Sequence, residues 1–261
     1  MDLITTGTVA VAAHKLLGKT VDAISEDLAK LYGKGRDKIT QVAVRKIKNL
    51  DDGAKANLRV ARDVFWNGSY TDESICAEYF GGILAASRSQ DGKDDTGVFY
   101  VDIIKSLSSG QLKIHYILYR ALNRFLLVDT TKKDLNPGQE SELHKLQLFI
   151  PHKGIVEQVQ NEDLGAILHG LHAKNLIGNF QSNGHKLEND KVVPYIEFSP
   201  TTLGIQLFAI ANNRFPQWRN FSTSDFGDFP DVILPKYYGS SIDSILEQAG
   251  LKNKSDPSTL I

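Results

Sequence analysis

The stretch 71-TDESICAEYFGGILAASRSQDGKDDTGVFYVDIIKSLSSGQLKIHYILYRALNRFLL-127 decides the fold of this 261-residue chain. It holds three apolar segments, separated by a polar Gly/Asp loop and a Ser-Ser-Gly corner. Each is too apolar to stand in water alone, so the pattern predicts a helical centre around which the rest packs. The first segment follows Ser69 and Thr71, with Asp72 and Glu73 suited to the positive end of a helix dipole. Ile75, Tyr79, Gly82, Ile83 and Ala86 then recur at helical spacing. Gly81-Gly82 in mid-helix costs roughly 1 kcal/mol per glycine relative to alanine, so another helix is expected to cross close to the backbone there. Val98–Leu107 reads as the second helix. Ser108-x-x-Gln111 is a capping box that opens the third, which carries Leu112, His115, Tyr116, Tyr119, Leu122 and Leu126. His115 lies on or beside the apolar face and reads as a core histidine, not a catalytic one.

A chain of this length allows one large domain or two small ones and can bury a full core. Hydrophobic residues make up 41% and charged residues 23%, the balance of an ordinary soluble globular protein. The one cysteine, Cys76, excludes an intrachain disulfide framework and fits a reducing compartment. The start of the sequence lacks the pattern of a signal peptide, and there is no run of eighteen apolar residues. A cytoplasmic location is the expectation.

Charge is unevenly spread. Between Lys30 and Arg62 ten basic residues face only Asp37, Asp51 and Asp52, so the segment is +7 in a chain of net −1. Arg36, Lys38, Arg45, Lys46, Lys48, Lys55, Arg59 and Arg62 are therefore candidate nucleic-acid contacts, joined by Lys186 further on. Fixed cations of this kind release counterions from phosphate polymers or meet anionic lipid. The competing reading is a solvated outer face of a bundle, because no aromatic residues interleave to stack bases. The segment itself reads as three helices: Val9–Leu31, which Gly33 and Gly35 break, then Asp37–Leu50, then Ala54–Trp66.

After Leu127 the character changes. Asp129–Gly138 reads as a linker. Glu140–Ile150 begins helical and finishes extended. Residues 161–177 form a helix with Asn161 as cap. Asn179-Phe180 and Tyr195–Phe198 are two short strands flanking a polar tip, and Ser199-Pro200 opens a closing helix, Leu203–Asn212. Helix, hairpin and closing helix in this order resemble a winged helix-turn-helix. The helix that would enter a DNA groove begins with Glu162 and Asp163 and has no Lys or Arg before Lys174, which favours protein contact over base reading. The aromatics Phe215, Trp218, Phe221, Phe226 and Phe229 are expected to wrap back over a core or cover a partner, and Ile242–Ala249 reads as a last short helix. The fold class is thus mainly α. Basic N-terminal helices (1–66) and apolar central helices (67–128) precede a winged-helix-like α+β domain (139–213) and an aromatic-rich tail (214–261).

No reacting constellation emerges, so no catalytic residue is assigned and no cofactor is expected. His169-x-x-His172 can share a helix face and bind zinc, but HExxH is absent and spacing fixes no third ligand. Asp91, Asp94 and Asp95 suggest a cation, without the calcium-loop pattern. They read first as turn and cap residues.

The chain also resembles the Abi-alpha proteins, bacterial proteins named for a proposed link to phage abortive infection. The likeness spans most of residues 10–210. It rests on the acidic start and Ala-rich body of Asp72-Glu73 to Ala86, on Ile104-Lys-Ser-Leu-Ser108, and on the close Thr201 or Thr202, Gly204, Phe208. It implies a non-enzymatic phage-defence protein that works through a protein partner or self-association. It transfers no catalytic residue. The alternative is a winged-helix DNA-binding regulator, and a third reading is a metal-dependent hydrolase or nuclease using the three aspartates.

Overall fold

A computed structural model describes residues 33–69, 73–132, 134–159 and 163–251. The expected Val9–Leu31 helix lies outside these residues, as do Lys30, Thr71, Asp72, Asn161 and Glu162. In chain order the elements are α1 (Gly33–Lys46), β1 (Lys55–Ala56), α2 (Leu58–Gly68), α3 (Ser74–Ala86), β2 (Arg88–Ser89), α4 (Gly97–Ile104) and α5 (Ser109–Val128). They continue with α6 (Glu140–Leu143), β3 (Leu148–Pro151), α7 (Lys153–Val156), α8 (Leu164–Ala173), β4 (Phe180–Lys186), β5 (Val192–Phe198), α9 (Thr202–Ala211) and α10 (Ile242–Gln248). The described residues are mainly helical, with two small antiparallel sheets. They divide into two compact units. Unit 1 takes residues 33–112, 206–218 and 226–232, and unit 2 takes 113–205, 219–225 and 233–251.

Unit 1 is organised around α3, which is buried on every side from Ile75 to Ala85. A helix apolar all round needs neighbours all round. The paired glycines explain how they come so near. A Cβ on Gly81 would press on Val42 and the Ile39 carbonyl of α1, and one on Gly82 would overlap the Ala211 carbonyl of α9. The expected close crossing is thus a double one. Whether Gly33 and Gly35 break the expected Val9–Leu31 helix falls outside the described residues. Gly33 is the first described residue of α1, and Gly35, within it, leaves room for the carbonyl of Ser69.

The expected Ala54–Trp66 helix starts later, because Lys55-Ala56 pairs with Arg88-Ser89 and Asn57 caps α2 by accepting from Arg59 N and Val60 N. The α5 capping box forms as read: Ser108 N donates to Gln111 Oε1 at 2.8 Å and Gln111 N to Ser108 Oγ at 3.1 Å. Phe226 and Phe229 return to the core of unit 1 as expected.

Unit 2 packs around the body of α5, where Ile114, Tyr116, Ile117, Leu118, Tyr119, Ala121 and Leu122 are fully buried. Phe221, in the short stretch 219–225, is buried in this unit. The sheet order is β3-β5-β4, all antiparallel, with Leu148 and Phe180 both opposite Phe198. The hairpin strands run seven residues each, much longer than the sequence suggested. The reason is composition: β4 is the exposed edge strand and reads FQSNGHK, with no apolar alternation to announce it. The cap of α8 is Asp163, which accepts from Gly165 N at 2.8 Å. The one-turn helix α7 was not foreseen.

Candidate functional site

The site grows from one residue that breaks the rule of its helix. In SICAEYFGGILAA, Glu78 is the lone charge among α3 residues, and its side chain is 4% exposed. An ionised carboxylate in such a place must be paired or hydrogen-bonded. Two residues at the end of α1 supply the partners. Arg45 Nη2 contacts Glu78 Oε1, and Lys46 Nζ sits 2.7 Å from Oε2.

Lys46 does more than neutralise the acid. Its ammonium donates to the Glu78 carbonyl at 2.8 Å and to the Ala211 carbonyl, the last of α9, at 2.7 Å. It also lies 4.1 Å from the centre of the Phe229 ring. A cation at a helix C-terminus satisfies the orphan carbonyls there and meets the negative end of the dipole. The link is reciprocal: Asn213, in the left-handed conformation with φ 54°, donates from Nδ2 to the Lys46 carbonyl at 2.9 Å. Burial pushes the Lys46 amine down to about 8, and Glu78 opposes a further fall.

Above this cluster opens a cleft of about 620 Å³ in unit 1. The end of α1 and the loop after it contribute Arg45, Lys46, Lys48, Asn49 and Asp52. Arg88 comes from β2, Asn212, Asn213, Arg214, Pro216 and Gln217 from beyond α9, and Phe226 to Phe229 from the returning tail. Five cations meet Asp52, Asp228 and the underlying Glu78, which leaves a formal excess of two positive charges.

Arg88 is deeply held, at 6% side-chain exposure against 9% for Lys46. Its Nη2 pairs with Asp52 and donates to the Ala54 carbonyl, and Nη1 donates to the Asn49 carbonyl. Its Nε–H is buried and meets no acceptor among the described residues. A buried donor in that state costs about 1–3 kcal/mol. Arg214 donates from Nη1 to Gln217 Oε1 at 3.1 Å, and Lys48 is exposed at the rim.

Of the basic residues singled out in the sequence, Arg45, Lys46 and Lys48 gather at this cleft. The others are dispersed. Arg36 pairs with Asp37 at 2.9 Å, Arg59 with Asp95 at 3.6 Å and Arg62 with Asp63 at 2.7 Å. Lys38 is half-buried on α1, Lys55 is exposed on β1, and Lys186 pairs with Asp190 at the hairpin tip. Arg88, Arg214 and Glu78 escaped sequence reading. Arg88 and Arg214 are far from the basic segment in the chain, but the lone acid in an apolar helix was a legible signal.

The metal candidates are placed as follows. His169 and His172 line a cavity of about 620 Å³ in unit 2, with Phe180 against both rings and Glu197 on its wall. His172 Nδ1 is 2.9 Å from the Gly178 carbonyl. Asp91 accepts from Ser89 Oγ and Lys93 N, and these bonds, the Lys93 amide first, hold its carboxyl below the usual range. Asp94 accepts from Thr96 N, and Asp95 faces Arg59. These aspartates serve the turn. Among the described residues no three His, Cys, Asp or Glu side chains come together as a metal site. His115 is fully buried in unit 2, and burial drives its pKa down to about 3. At neutral pH it is an uncharged core group.

No helix of the described residues is long and apolar enough to cross a membrane. Comparison of the chain with protein-family models, curated proteins and solved structures finds no match.

Proposed function

We propose that this chain is a non-catalytic binding protein whose cleft in unit 1 takes an anionic ligand. The convergence of Arg45, Lys46, Lys48, Arg88 and Arg214 on one concavity carries this reading. Guanidinium groups suit phosphate or carboxylate oxygens, and a cleft lined by one sign of charge concentrates the opposite sign. Its volume falls in the range of small-ligand sites, about 300–1,000 Å³. The test is a thermal titration with inorganic pyrophosphate at low salt. The melting temperature should climb with ligand concentration, as for any ligand that binds only the folded state, and climb less at high salt. An unchanged melting temperature at low salt contradicts the reading.

For unit 2 we propose a winged-helix-like module that meets a protein partner. The order helix, strand, short helix, helix, hairpin, with sheet order β3-β5-β4, supports the likeness. The outward face of α8 supports the choice of partner. It shows Ala166, His169, His172 and Ala173, with no cation before Lys174, so it offers a DNA backbone or base edge very little. The Abi-alpha likeness would set this binding in a cytoplasmic response to phage. Loss of protection in cells on Lys48→Glu would support that setting, and full protection would remove it.

A further inference from the structure

The cleft's cations are only half of its chemistry. Its lining also includes the apolar Ala85, Ala86 and Pro216 and a set of amides. Asn213 spends its Nδ2 on the Lys46 carbonyl, which leaves Oδ1 as an acceptor. Gln217 spends its Oε1 on Arg214, which leaves Nε2 as a donor. A donor and an acceptor beside apolar side chains suit a flat heterocycle with polar edges, whereas bare phosphate, which only accepts, would leave the Asn213 acceptor unused.

Charge outside the cleft sets the size of the ligand. A nucleic-acid strand needs a track of cations along its backbone. Here Arg36, Arg59 and Arg62 are each matched by an aspartate, so these three arginines do not extend the cleft's charge into a track. Arg88 adds a buried Nε–H that meets no acceptor among the described residues, on a side chain that lines the cavity. A phosphate oxygen is the kind of acceptor such a guanidinium takes.

We propose that the ligand of this cleft is a nucleoside phosphate, with its phosphates on Arg45, Lys48, Arg88 and Arg214 and its base against Asn213 and Gln217. The proposal rests on the anion-binding reading above and narrows it.

The experiment is calorimetric titration of the full chain with three probes at low salt in EDTA: ATP, inorganic tripolyphosphate, and a single-stranded oligonucleotide of about 20 residues. ATP is expected to bind at one site, with tripolyphosphate and oligonucleotide each at least about tenfold weaker. Lys48→Glu and Arg214→Glu, each checked for an unchanged melting temperature, should weaken ATP by at least about tenfold. Gln217→Ala should narrow the gap between ATP and tripolyphosphate. Equal affinity for ATP and tripolyphosphate overturns the nucleoside but leaves the anion site standing. Tight oligonucleotide binding without ATP binding overturns the compact ligand. ATP binding that survives both charge reversals places the site elsewhere. Silence from all three probes removes the anion reading itself.

Discussion

The central helix of unit 1 and the central helix of unit 2 bury polar groups in different proportions of charged to neutral. On α3 the group is charged: Glu78 faces Arg45 and Lys46, and the cluster borders an open cleft. On α5 one buried group is charged, Arg120, which lies 2.7 Å from the carboxylate of Asp225, and the others are neutral. Tyr119 Oη donates to the Leu176 carbonyl at 2.7 Å and accepts from Thr201 N at 3.0 Å, Asn123 donates to the Phe221 and Ser224 carbonyls, and His115 stays uncharged. Neutral hydrogen-bonded groups tie segments together at modest cost. A charged cluster is expensive to bury and often repays little in stability. Where a fold keeps one beside a cavity, binding is the better explanation than folding.

The largest expected effect breaks the charged side of this contrast. Glu78→Ala leaves Lys46 buried without its carboxylate and should cost about 3–5 kcal/mol in chemical unfolding. Adding Lys46→Met to Glu78→Leu should recover most of that loss, since an apolar replacement of a buried pair is often neutral. A double variant as unstable as the single would mean that the pair itself holds unit 1 together. Next comes the neutral side. Tyr119→Phe strands the Thr201 amide and the Leu176 carbonyl and should cost about 1–3 kcal/mol.

The two sides should also differ in pH response. Lys46 has a folded pKa of about 8 against 10.5 in the open chain, so the unfolded state holds more protons between these values. The stability of the wild type relative to Lys46→Met should therefore rise with pH across that window. His115, at about 3 against 6.5, follows the same sign lower down: wild type relative to His115→Gln should lose stability as pH falls from 6.5 toward 3. The smallest effect belongs to the surface. Arg59→Ala, removing a 3.6 Å exposed pair with Asp95, should change stability by less than about 1 kcal/mol.

What the sequence disclosed follows from the range of each signal. The Ser108–Gln111 box, the Gly81-Gly82 crossing and the burial of His115 depend on residues close in the chain or on one helix face, and each was legible. The resemblance to a phage-defence family has no counterpart in the comparisons. The β4 strand hid because an exposed edge needs no apolar alternation. The cleft hid because its parts come from four separated stretches, and three arginines of the basic run that drew attention, Arg36, Arg59 and Arg62, are each paired with an aspartate. Charge density along a chain does not reveal where charge will be left over after folding.

The most direct measurement of the central claim is an NMR titration of the Lys46 side chain in the full chain, with and without pyrophosphate. The account predicts an amine that titrates near 8 when free and moves upward when an anion enters the cleft. An amine that titrates at its ordinary 10.5 in the free protein, or one that pyrophosphate leaves unmoved, would contradict it.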